Sequence, residues 1–355
     1  MVIKDIKVKI INIPLKKPFI TSLRRVDVLE SIILTLKTRS NLVGYGETAP
    51  TFAVTGDDTE TIINALQLIY QNIKGKSVTN FTEIIDTVHN SIEANYSAKS
   101  AMEIALYDIF AQNLKLPLYK FLGGKKKKFK TGITISLNDT HIMIRDSVEA
   151  INRGFDSLKI KLGEDYKEEI YKVKSIYKAV GKDISLKLDA NQGWSEGECI
   201  RFLNSLEKDK IPIELIEQPI EKRNIEGLKY IKERTSIPIL ADESVFSPKD
   251  AIEILEKQAV DFINIKLDKC GGISKALQIA DICKLYGVKC MIGCMLEGSI
   301  SVSAAVHVAS SRNDTITMID LDAPVLYENY PIQVGVRFNE SNIEITDTCG
   351  LGIRA

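Results

Sequence analysis

From about Phe129 to Asp322, short apolar and β-branched runs alternate with longer segments whose apolar residues recur every three to four positions. The short runs are typical of buried strands, and the longer segments are typical of amphipathic helices. Eight strands are predicted, at Gly132–Leu137, Leu158–Leu162, Ser185–Ala190, Ile213–Gln218, Ile239–Asp242, Phe262–Leu267, Lys289–Gly293 and Thr317–Asp322. Helices between them are predicted at Tyr166–Val180, Gly197–Glu207, Ile225–Arg234, Pro248–Gln258 and Ser274–Tyr286.

This alternation predicts an α/β fold in which crossover helices join parallel strands. Eight strands at this spacing favour a closed (β/α) barrel over an open doubly wound sheet. The chain contains no G-x-G-x-x-G and no Walker sequence, which are the glycine-rich turns of nucleotide-binding sheets.

The first 125 residues follow a different pattern, in which three strands precede three helices. The strands are predicted at Ile3–Ile13, Ser31–Thr38 and Leu42–Glu47, and the helices at Thr59–Ile73, Phe81–Ile92 and Ser97–Asn113. This order predicts an α+β domain over residues 1–125, followed by a barrel over residues 126–327. The run Lys125–Lys128 is interpreted as a solvated boundary loop, and the alternating segment 328–355 is expected to return to the first domain.

Charge and composition exclude several classes of partner and location. The 47 Lys and Arg residues balance the 47 Asp and Glu residues, so neither nucleic acid nor an anionic membrane is an expected partner. The N-terminus alternates apolar and charged residues, unlike a secretory signal, and polar residues interrupt the most apolar stretch, Met291–Ala309, so no transmembrane span is expected. Six cysteines without C-x-x-C spacing are interpreted as reduced thiols of a cytoplasmic protein.

Polar side chains stand at the points where the predicted barrel strands end. In a parallel barrel these ends meet on one face, where the active site lies. Any one such residue is more often part of a structural ion pair, but the whole set indicates a site. Its members are Lys159, Lys161, Asp189, Asn191, Glu217, Asp242, Glu243, Lys266, Asp320 and Asp322.

Three of the carboxylates, Asp189, Glu217 and Asp242, end consecutive predicted strands. Bare carboxylates held close together repel one another and raise each other's pKa. A hard divalent cation removes this conflict, and an oxygen-only ligand set favours Mg²⁺ or Mn²⁺ over zinc. The three histidines lie in helical stretches away from these strand ends and are interpreted as structural or surface residues: His89, His141 and His307.

Two lysines flank the carboxylates in strand order, Lys161 before them and Lys266 after them. A barrel therefore places the two ammonium groups on opposite sides of a bound molecule. A lysine with a pKa near 10.4 is a poor base at neutral pH, and we expect a neighbouring cation and second lysine to lower that pKa. Two facing bases suit removal of a proton from one face of a carbon beside a carboxylate and its return on the other face.

Six motifs occur in a fixed order along the chain: Y-G-E-T-A-P at Tyr45–Pro50, K-I-K, L-D-A-N-Q-G-W, E-Q-P, A-D-E-S and N-I-K-L-D-K-C-G-G. Over its whole length the chain therefore resembles the enolase superfamily, in the muconate-lactonising-enzyme-like subgroup, and within it the dipeptide epimerases. The resemblance implies a modified (β/α)₇β barrel whose strand ends are covered by an N-terminal capping domain. It also implies the chemistry already established for enolase-superfamily sites, a lysine base acting beside Mg²⁺.

The resemblance implies a role for each residue. One Mg²⁺, or Mn²⁺ in its place, would be held by Asp189, Glu217 and Asp242, and would stabilise an enediolate form of the substrate. Lys161 and Lys266 would be the two acid/base groups, and Lys159 would add positive charge near the substrate carboxylate. In the family, the D-x-D that stands here at Asp320 and Asp322 holds the free ammonium of a dipeptide.

Two stretches of the first domain, Phe19–Val26 and Phe52–Asp58, are expected to be flexible and to close on the substrate side chain. Arg24 is a candidate for binding a side-chain carboxylate, which would favour a C-terminal glutamate or aspartate, and Arg25 is a weaker one. Cys294 is not expected to be a nucleophile, because no base accompanies it. Further candidate substrate contacts are Thr134, Cys294, Met295 and Leu296.

These expectations describe an isomerase, a Mg²⁺-dependent dipeptide epimerase that moves a proton at the α-carbon of the C-terminal residue, with L-Ala-D/L-Glu as the favoured substrate. Two rivals from the same subgroup, N-acylamino-acid racemisation and cycloisomerisation, stay open, although D-x-D argues against both. A third alternative is an inactive metal-binding barrel with a structural role, against which the intact lysines and carboxylates argue. A homo-oligomer is compatible with the sequence.

Overall fold

The computed structural model of the chain describes residues 1–163 and 165–354. Its strands form three sheets: an antiparallel sheet of three strands near the N-terminus, a parallel sheet of eight strands, and an antiparallel sheet of three strands that includes the last two. This division matches the predicted order of a small α+β unit followed by a barrel.

The N-terminal unit, which we call the cap, consists of one sheet covered by helices. Its strands pair in the order β1 (Ile3–Ile20), β2 (Arg25–Thr38) and β3 (Val43–Thr48). Its helices are α1 (Phe52–Thr55), α2 (Thr59–Ile73), α3 (Phe81–Asn90), α4 (Tyr96–Asn113) and α5 (Leu118–Phe121). Helix α4 is buried on nearly all sides, because it packs against β3 on one side and against the barrel helices on the other.

The barrel begins after a short strand, β4 (Lys128–Lys130). Its eight parallel strands are β5 (Ile133–Ile135), β6 (Ser157–Lys161), β7 (Ser185–Asp189), β8 (Leu215–Glu217), β9 (Ile239–Ala241), β10 (Phe262–Ile265), β11 (Lys289–Gly293) and β12 (Ile316–Asp320). The connecting helices are α6 (Thr140–Asn152), α7 (Tyr166–Val180), α8 (Glu196–Lys208), α9 (Ile225–Lys232), α10 (Pro248–Glu256), α11 (Leu267–Cys270), α12 (Ile273–Leu285) and α13 (Ser299–Ser311). The eighth strand is followed only by the one-turn α14 (Ala323–Leu326), so the predicted (β/α)₇β barrel is confirmed.

The barrel is nearly closed, with a seam between its first and last strands. Within the described residues no backbone ladder joins β12 to β5. Side chains bridge the seam instead: Leu321 N donates to Thr131 Oγ1 at 2.9 Å, and Thr134 N donates to Asp322 Oδ2 at 2.7 Å.

The C-terminal segment contacts both parts of the molecule. Its hairpin, β13 (Val336–Asn339) and β14 (Asn342–Ile345), pairs through β14 with β4. Beyond the hairpin, Leu351 N donates to Asp108 Oδ1 on α4 at 2.8 Å. The predicted domain boundaries themselves stay a prediction.

Both cap stretches that were expected to be flexible are partly regular structure. Strands β1 and β2 continue through the Phe19–Val26 and Ile20–Arg25 pairs, so only the turn Thr21–Arg24 lies outside them. Strand β1 thus extends beyond the predicted end at Ile13, and it includes Pro14 because β1 is an edge strand, where proline is tolerated. The second stretch begins with α1, and Ser97 Oγ donates to Asp57 Oδ2 at 2.7 Å, which ties it to α4.

Two observations bear on the environment of the chain. Among the described residues, every helix is too short or too polar to cross a lipid bilayer. All six cysteines are free thiols, and four of them are buried: Cys199, Cys270, Cys283 and Cys290.

The histidines differ in their surroundings. His141 is exposed, and His89 Nε2 lies 2.6 Å from Glu103 Oε1. His307 is buried in α13, where its Nδ1 accepts a hydrogen bond from Tyr119 N at 2.9 Å and its Nε2 has no hydrogen-bond partner among the described residues. Burial lowers the pKa of His307 to about 3.

This neutral histidine predicts acid-sensitive stability. In the unfolded chain His307 takes up a proton below about pH 6.5, whereas in the folded protein it stays neutral, so stability falls as the pH drops. Between about pH 6.5 and pH 4 the loss from this one group is about 3 kcal/mol. Urea unfolding at several pH values measures it. In His307→Asn, whose amide oxygen can replace Nδ1 as acceptor, the slope with pH should be smaller, and an unchanged slope would contradict the assignment.

Candidate active site

The polar strand ends converge as expected. In the strand register, Lys161 on β6 is paired with Asp189 on β7, and Asp189 is paired with Glu217 on β8. Because side chains alternate along a strand, Lys159 lies on the same face of β6 as Lys161. These four side chains, with Asp242 after β9 and Lys266 after β10, are each 6% exposed or less.

The charges form two groups of ion pairs, one around Lys159 and one at Asp242. Lys159 Nζ lies 2.6 Å from Glu217 Oε2, 2.8 Å from Asp320 Oδ2 and 3.3 Å from Asp189 Oδ2. On one side of it, Lys161 Nζ lies 2.5 Å from Asp189 Oδ2 and 3.1 Å from Asn191 Oδ1. On the other side, Lys266 Nζ lies 2.6 Å from Asp242 Oδ2. Lys161 and Lys266 thus stand at opposite ends of a row of carboxylates.

Neighbouring carboxylates set the pKa of two buried lysines. Burial by itself lowers the pKa of Lys266, but the negative charges of Asp242 and Glu217 raise it by more, so it lies well above its usual value. The pKa of Lys159 is raised for the same reason, by Asp320, Glu217 and Asp189 against the effect of burial. The lowered lysine pKa expected beside a bound cation stays a prediction.

The donor chemistry at this face fits a hard cation. Asp189, Glu217 and Asp242 offer only carboxylate oxygens, and burial raises the pKa of Glu217. Beside them, Glu243 Oε2 is buried and accepts no hydrogen bond among the described residues, and burial and Asp242 raise the pKa of Glu243 to about 7. Among the described residues, no three acidic, histidine or cysteine side chains are close enough together to bind a metal ion as they stand. The Lys159 ammonium lies between two of the carboxylates, Asp189 and Glu217.

Two residues of this face were not singled out from the sequence. Lys269 is fully buried, and its Nζ donates to Asp242 Oδ1 at 2.7 Å and to Asn264 O at 3.0 Å. Asn264 Nδ2 donates to Glu217 Oε1 at 2.7 Å. Both orient carboxylates of the proposed metal site. Both belong to N-I-K-L-D-K-C-G-G, but their side-chain partners come from other strands and become visible only in the fold.

The two aspartates of D-x-D differ in their partners. Asp320 is paired with Lys159, which helps to keep its pKa below the usual value. Asp322 accepts hydrogen bonds from the Thr134 amide and hydroxyl, and burial, together with Asp320, raises its pKa to about 6. Asp322 is therefore a buried acid without a cationic partner among the described residues. Thr134, a predicted substrate contact, stands at this aspartate.

The residues predicted to contact the substrate side chain lie along the boundary between cap and barrel. Arg24 is half-buried, and its Nη1 donates to Pro50 O at 3.5 Å, whereas Arg25 pairs with Asp27 at the surface. Cys294 Sγ contacts Asp320 O at 3.7 Å, and burial raises the pKa of this thiol well above its usual value, which agrees with a lining role. Met295 and Leu296, which follow it, are buried.

Known proteins resemble this chain over its full length. Residues 5–123 match the mandelate racemase / muconate lactonizing enzyme N-terminal domain, and residues 143–355 match the enolase C-terminal domain-like family. The L-Ala-D/L-Glu epimerase of Clostridium acetobutylicum is 47% identical over 99% of both chains.

Two solved structures superpose closely on it. A substrate-liganded complex of the L-Ala-D/L-Glu epimerase from Bacillus subtilis has a TM-score of 0.97 at 40% identity and covers 99% of both chains. A dipeptide epimerase from Enterococcus faecalis V583, complexed with Mg and the dipeptide L-Leu-L-Tyr, has a TM-score of 0.96 at 39% identity over 100% of both chains. The chain therefore belongs to the mandelate racemase / muconate lactonizing enzyme family of the enolase superfamily and, within it, to the dipeptide epimerases.

Proposed function

We propose that the protein epimerises dipeptides by moving a proton between the two faces of the α-carbon of the C-terminal residue. The observation that carries the proposal is the placement of two buried lysines, Lys161 and Lys266, at opposite ends of one row of carboxylates. The names of the relatives, which are dipeptide epimerases at 39–47% identity, support the same reaction.

In this proposal Lys161 removes or returns the proton of the L epimer, and Lys266 does so for the D epimer. Each ammonium is hydrogen-bonded to an aspartate, Lys161 to Asp189 and Lys266 to Asp242, so each stands at a fixed place while it exchanges its proton. Lys159 contributes positive charge between the two, where the substrate carboxylate is expected to bind. Burial of all three lysines limits the contact of their ammonium groups with water.

We propose that Asp189, Glu217 and Asp242 hold one Mg²⁺, with Mn²⁺ able to replace it. The oxygen-only donors support this choice, as do relatives solved with Mg. When bound, the cation supplies positive charge to the substrate carboxylate, which makes the neighbouring α-proton more acidic. Asn264 and Lys269 hold Glu217 and Asp242 in place for it.

Asp322 is the proposed acceptor of the substrate's free ammonium. It is buried, it forms no ion pair with a cation among the described residues, and burial and the neighbouring Asp320 raise its pKa to about 6. Asp320, which is already paired with Lys159, contributes less than the sequence pattern alone indicated. A free dipeptide supplies the cation, whereas an N-acylated amino acid does not.

The proposed substrate is L-Ala-D/L-Glu. The half-buried Arg24 of the cap has no acidic partner among the described residues and is proposed to pair with the side-chain carboxylate of the C-terminal residue. The second candidate is a hydrophobic dipeptide, because a 39% identical relative from Enterococcus faecalis is a hydrophobic dipeptide epimerase. The free cysteines support a reducing compartment such as the cytoplasm, and a homo-oligomer stays a prediction.

One comparison of substrates tests this assignment. Acetylating the amino group of Ala-Glu removes the cation that Asp322 meets, which is expected to cost roughly two to four powers of ten in kcat/KM. In Asp322→Asn, which keeps an acceptor for Thr134 N, the gap between free and acetylated substrate should narrow. The measurement is kcat/KM for Ala-Glu, Ala-Leu and N-acetyl-Ala-Glu with both proteins.

The possible results separate the candidates. Equal wild-type activity on the free and acetylated substrates would reject a dipeptide epimerase in favour of an acylamino-acid racemase. A wild-type preference for Ala-Leu over Ala-Glu would keep dipeptide epimerisation and reject the role of Arg24.

A further inference from the structure

Two barrel helices begin at a glycine and receive no hydrogen bond from a capping side chain of their own. Helix α12 follows Gly272 and α13 follows Gly298, and neither of these positions has a side chain to accept from the first turn. The first backbone N–H groups of a helix lack partners inside it and need acceptors when they are buried. In both helices the acceptor is a buried glutamate of the cap.

Glu103 of α4 supplies the acceptor for α12. Its Oε2 accepts from Ser274 N at 2.8 Å, and its Oε1 lies 2.6 Å from His89 Nε2, so both carboxylate oxygens have partners. Gly272 has a φ of +120°, and a Cβ there would lie 2.5 Å from Glu103 Oε2. Only glycine therefore allows the cap glutamate to approach this helix.

Glu47 of β3 does the same for α13. Its Oε2 accepts from Ile300 N at 2.8 Å and from Ser301 N at 3.1 Å. Its Oε1 accepts from Tyr330 Oη at 2.6 Å and from Ser31 Oγ. A Cβ on Gly298 would overlap Glu47 Oε1, so this glycine also makes room for a glutamate from the other part of the molecule.

Each capped helix directly follows a segment of the active site. Lys266 and the one-turn α11 precede Gly272, and Thr48 Oγ1 of the cap donates to Asp268 Oδ2 in α11 at 2.7 Å. Cys294 to Leu296 precede Gly298, and Met295 N donates to Glu297 Oε1 at 2.5 Å, while Ser301 Oγ donates to Glu297 Oε2. Both segments are thus held between the end of a barrel strand and a contact with the cap.

We infer that Glu103 and Glu47 are positioning residues through which the cap sets the two strand-end segments that face the substrate. Glu103 fixes the segment that carries Lys266, and Glu47 fixes the segment that carries Cys294, Met295 and Leu296. The two effects are separable, because the glutamates lie on different cap elements and cap different helices.

The first experiment is independent of any enzymatic activity. Amide hydrogen exchange is followed by mass spectrometry in four variants. Glu103→Met and Glu47→Met keep the length of the side chain but remove both acceptor oxygens, and Glu103→Gln and Glu47→Gln are their controls. In Glu103→Met, exchange over residues 266–275 should rise about tenfold, with little change over residues 294–302, and Glu47→Met should show the reverse. The glutamine variants keep an acceptor oxygen and should restore most of the protection.

If Glu47→Met does not fold, Gly298→Ala tests the same contact. Gly298 has a φ of −80°, which alanine adopts without strain. The added Cβ displaces Glu47 while the glutamate itself remains, so the same segment should lose protection. Equal changes in both segments, or in neither, would overturn the inference.

The second experiment rests on the proposed function and measures α-proton exchange in D₂O. Glu103→Met should slow exchange of the D epimer about tenfold relative to the L epimer, because only Lys266 is displaced. Glu47→Met should leave this ratio unchanged and alter the ratio of kcat/KM between Ala-Glu and Ala-Leu. Equal slowing of both epimers by Glu103→Met would overturn the positioning role. A wild-type protein that exchanges neither epimer would reject the proposed function, while the amide exchange still decides the capping contacts.

Discussion

Replacement of Lys266 by alanine is expected to abolish epimerisation while the L epimer continues to exchange its α-proton with solvent. Lys161 stays at the opposite end of the carboxylate row, where it still reaches one face of the α-carbon. The D epimer, whose proton faces the missing lysine, should lose exchange by about 10²–10⁴-fold, the usual contribution of general acid–base catalysis. Proton NMR of Ala-L-Glu and Ala-D-Glu in D₂O measures both epimers.

Lys161→Ala is the matched control, because it should give the mirror-image result with exchange kept only for the D epimer. Each variant deletes one buried ammonium group that is hydrogen-bonded to an aspartate. A non-specific disturbance of the site should therefore affect both variants alike. Full epimerisation by either variant would show that the pair is not the acid/base couple, as would unchanged exchange of both epimers.

Replacement of Glu217 by glutamine is expected to weaken Mg²⁺ binding and to lower turnover by about 10²-fold or more. The change keeps the size of the side chain but removes the one negative charge that lies between Asp189 and Asp242 in strand order. Isothermal titration with Mg²⁺ measures binding independently of turnover. Thorough chelation of the wild type should abolish activity, and added Mg²⁺ should restore it.

Glu214→Gln is the control for this change. Glu214 directly precedes β8, whereas Glu217 ends it, and the Glu214 side chain is 37% exposed and lies 3.9 Å from Lys187. It should leave Mg²⁺ affinity unchanged. Wild-type turnover that survives chelation, or stronger activation by zinc than by magnesium, would count against the proposed metal site.

The barrel and the charged core of the site could be predicted from sequence because their signals are local. Each strand was a short apolar run, and residues such as Asp189 and Glu217 stood directly at the strand ends, where the geometry of a parallel barrel brings them together. The order of the motifs added the family resemblance, which the comparisons confirm.

The errors and omissions arise from contacts between residues distant in sequence. The predicted end of β1 at Ile13 is too early, because the pairing that carries the strand to Ile20 is made with β2. The raised pKa of Lys266 depends on a 2.6 Å contact with an aspartate 24 residues away. The role of Glu47 depends on helix α13, more than 250 residues later, and no periodicity links the two.

The seam of the barrel restricts how this enzyme can change its substrate. Asp322, the proposed ammonium acceptor, is also one of the residues that bridge the first and last strands, through Thr134 N. A mutation that exchanged this aspartate for an apolar residue, to admit an uncharged group, would also leave a buried N–H without a partner and loosen the seam. A single apolar replacement of Asp322 would therefore remove the requirement for a substrate ammonium and lower the stability of the fold at the same time. An evolutionary path to acylated substrates would pass first through asparagine, which removes the charge and keeps the acceptor.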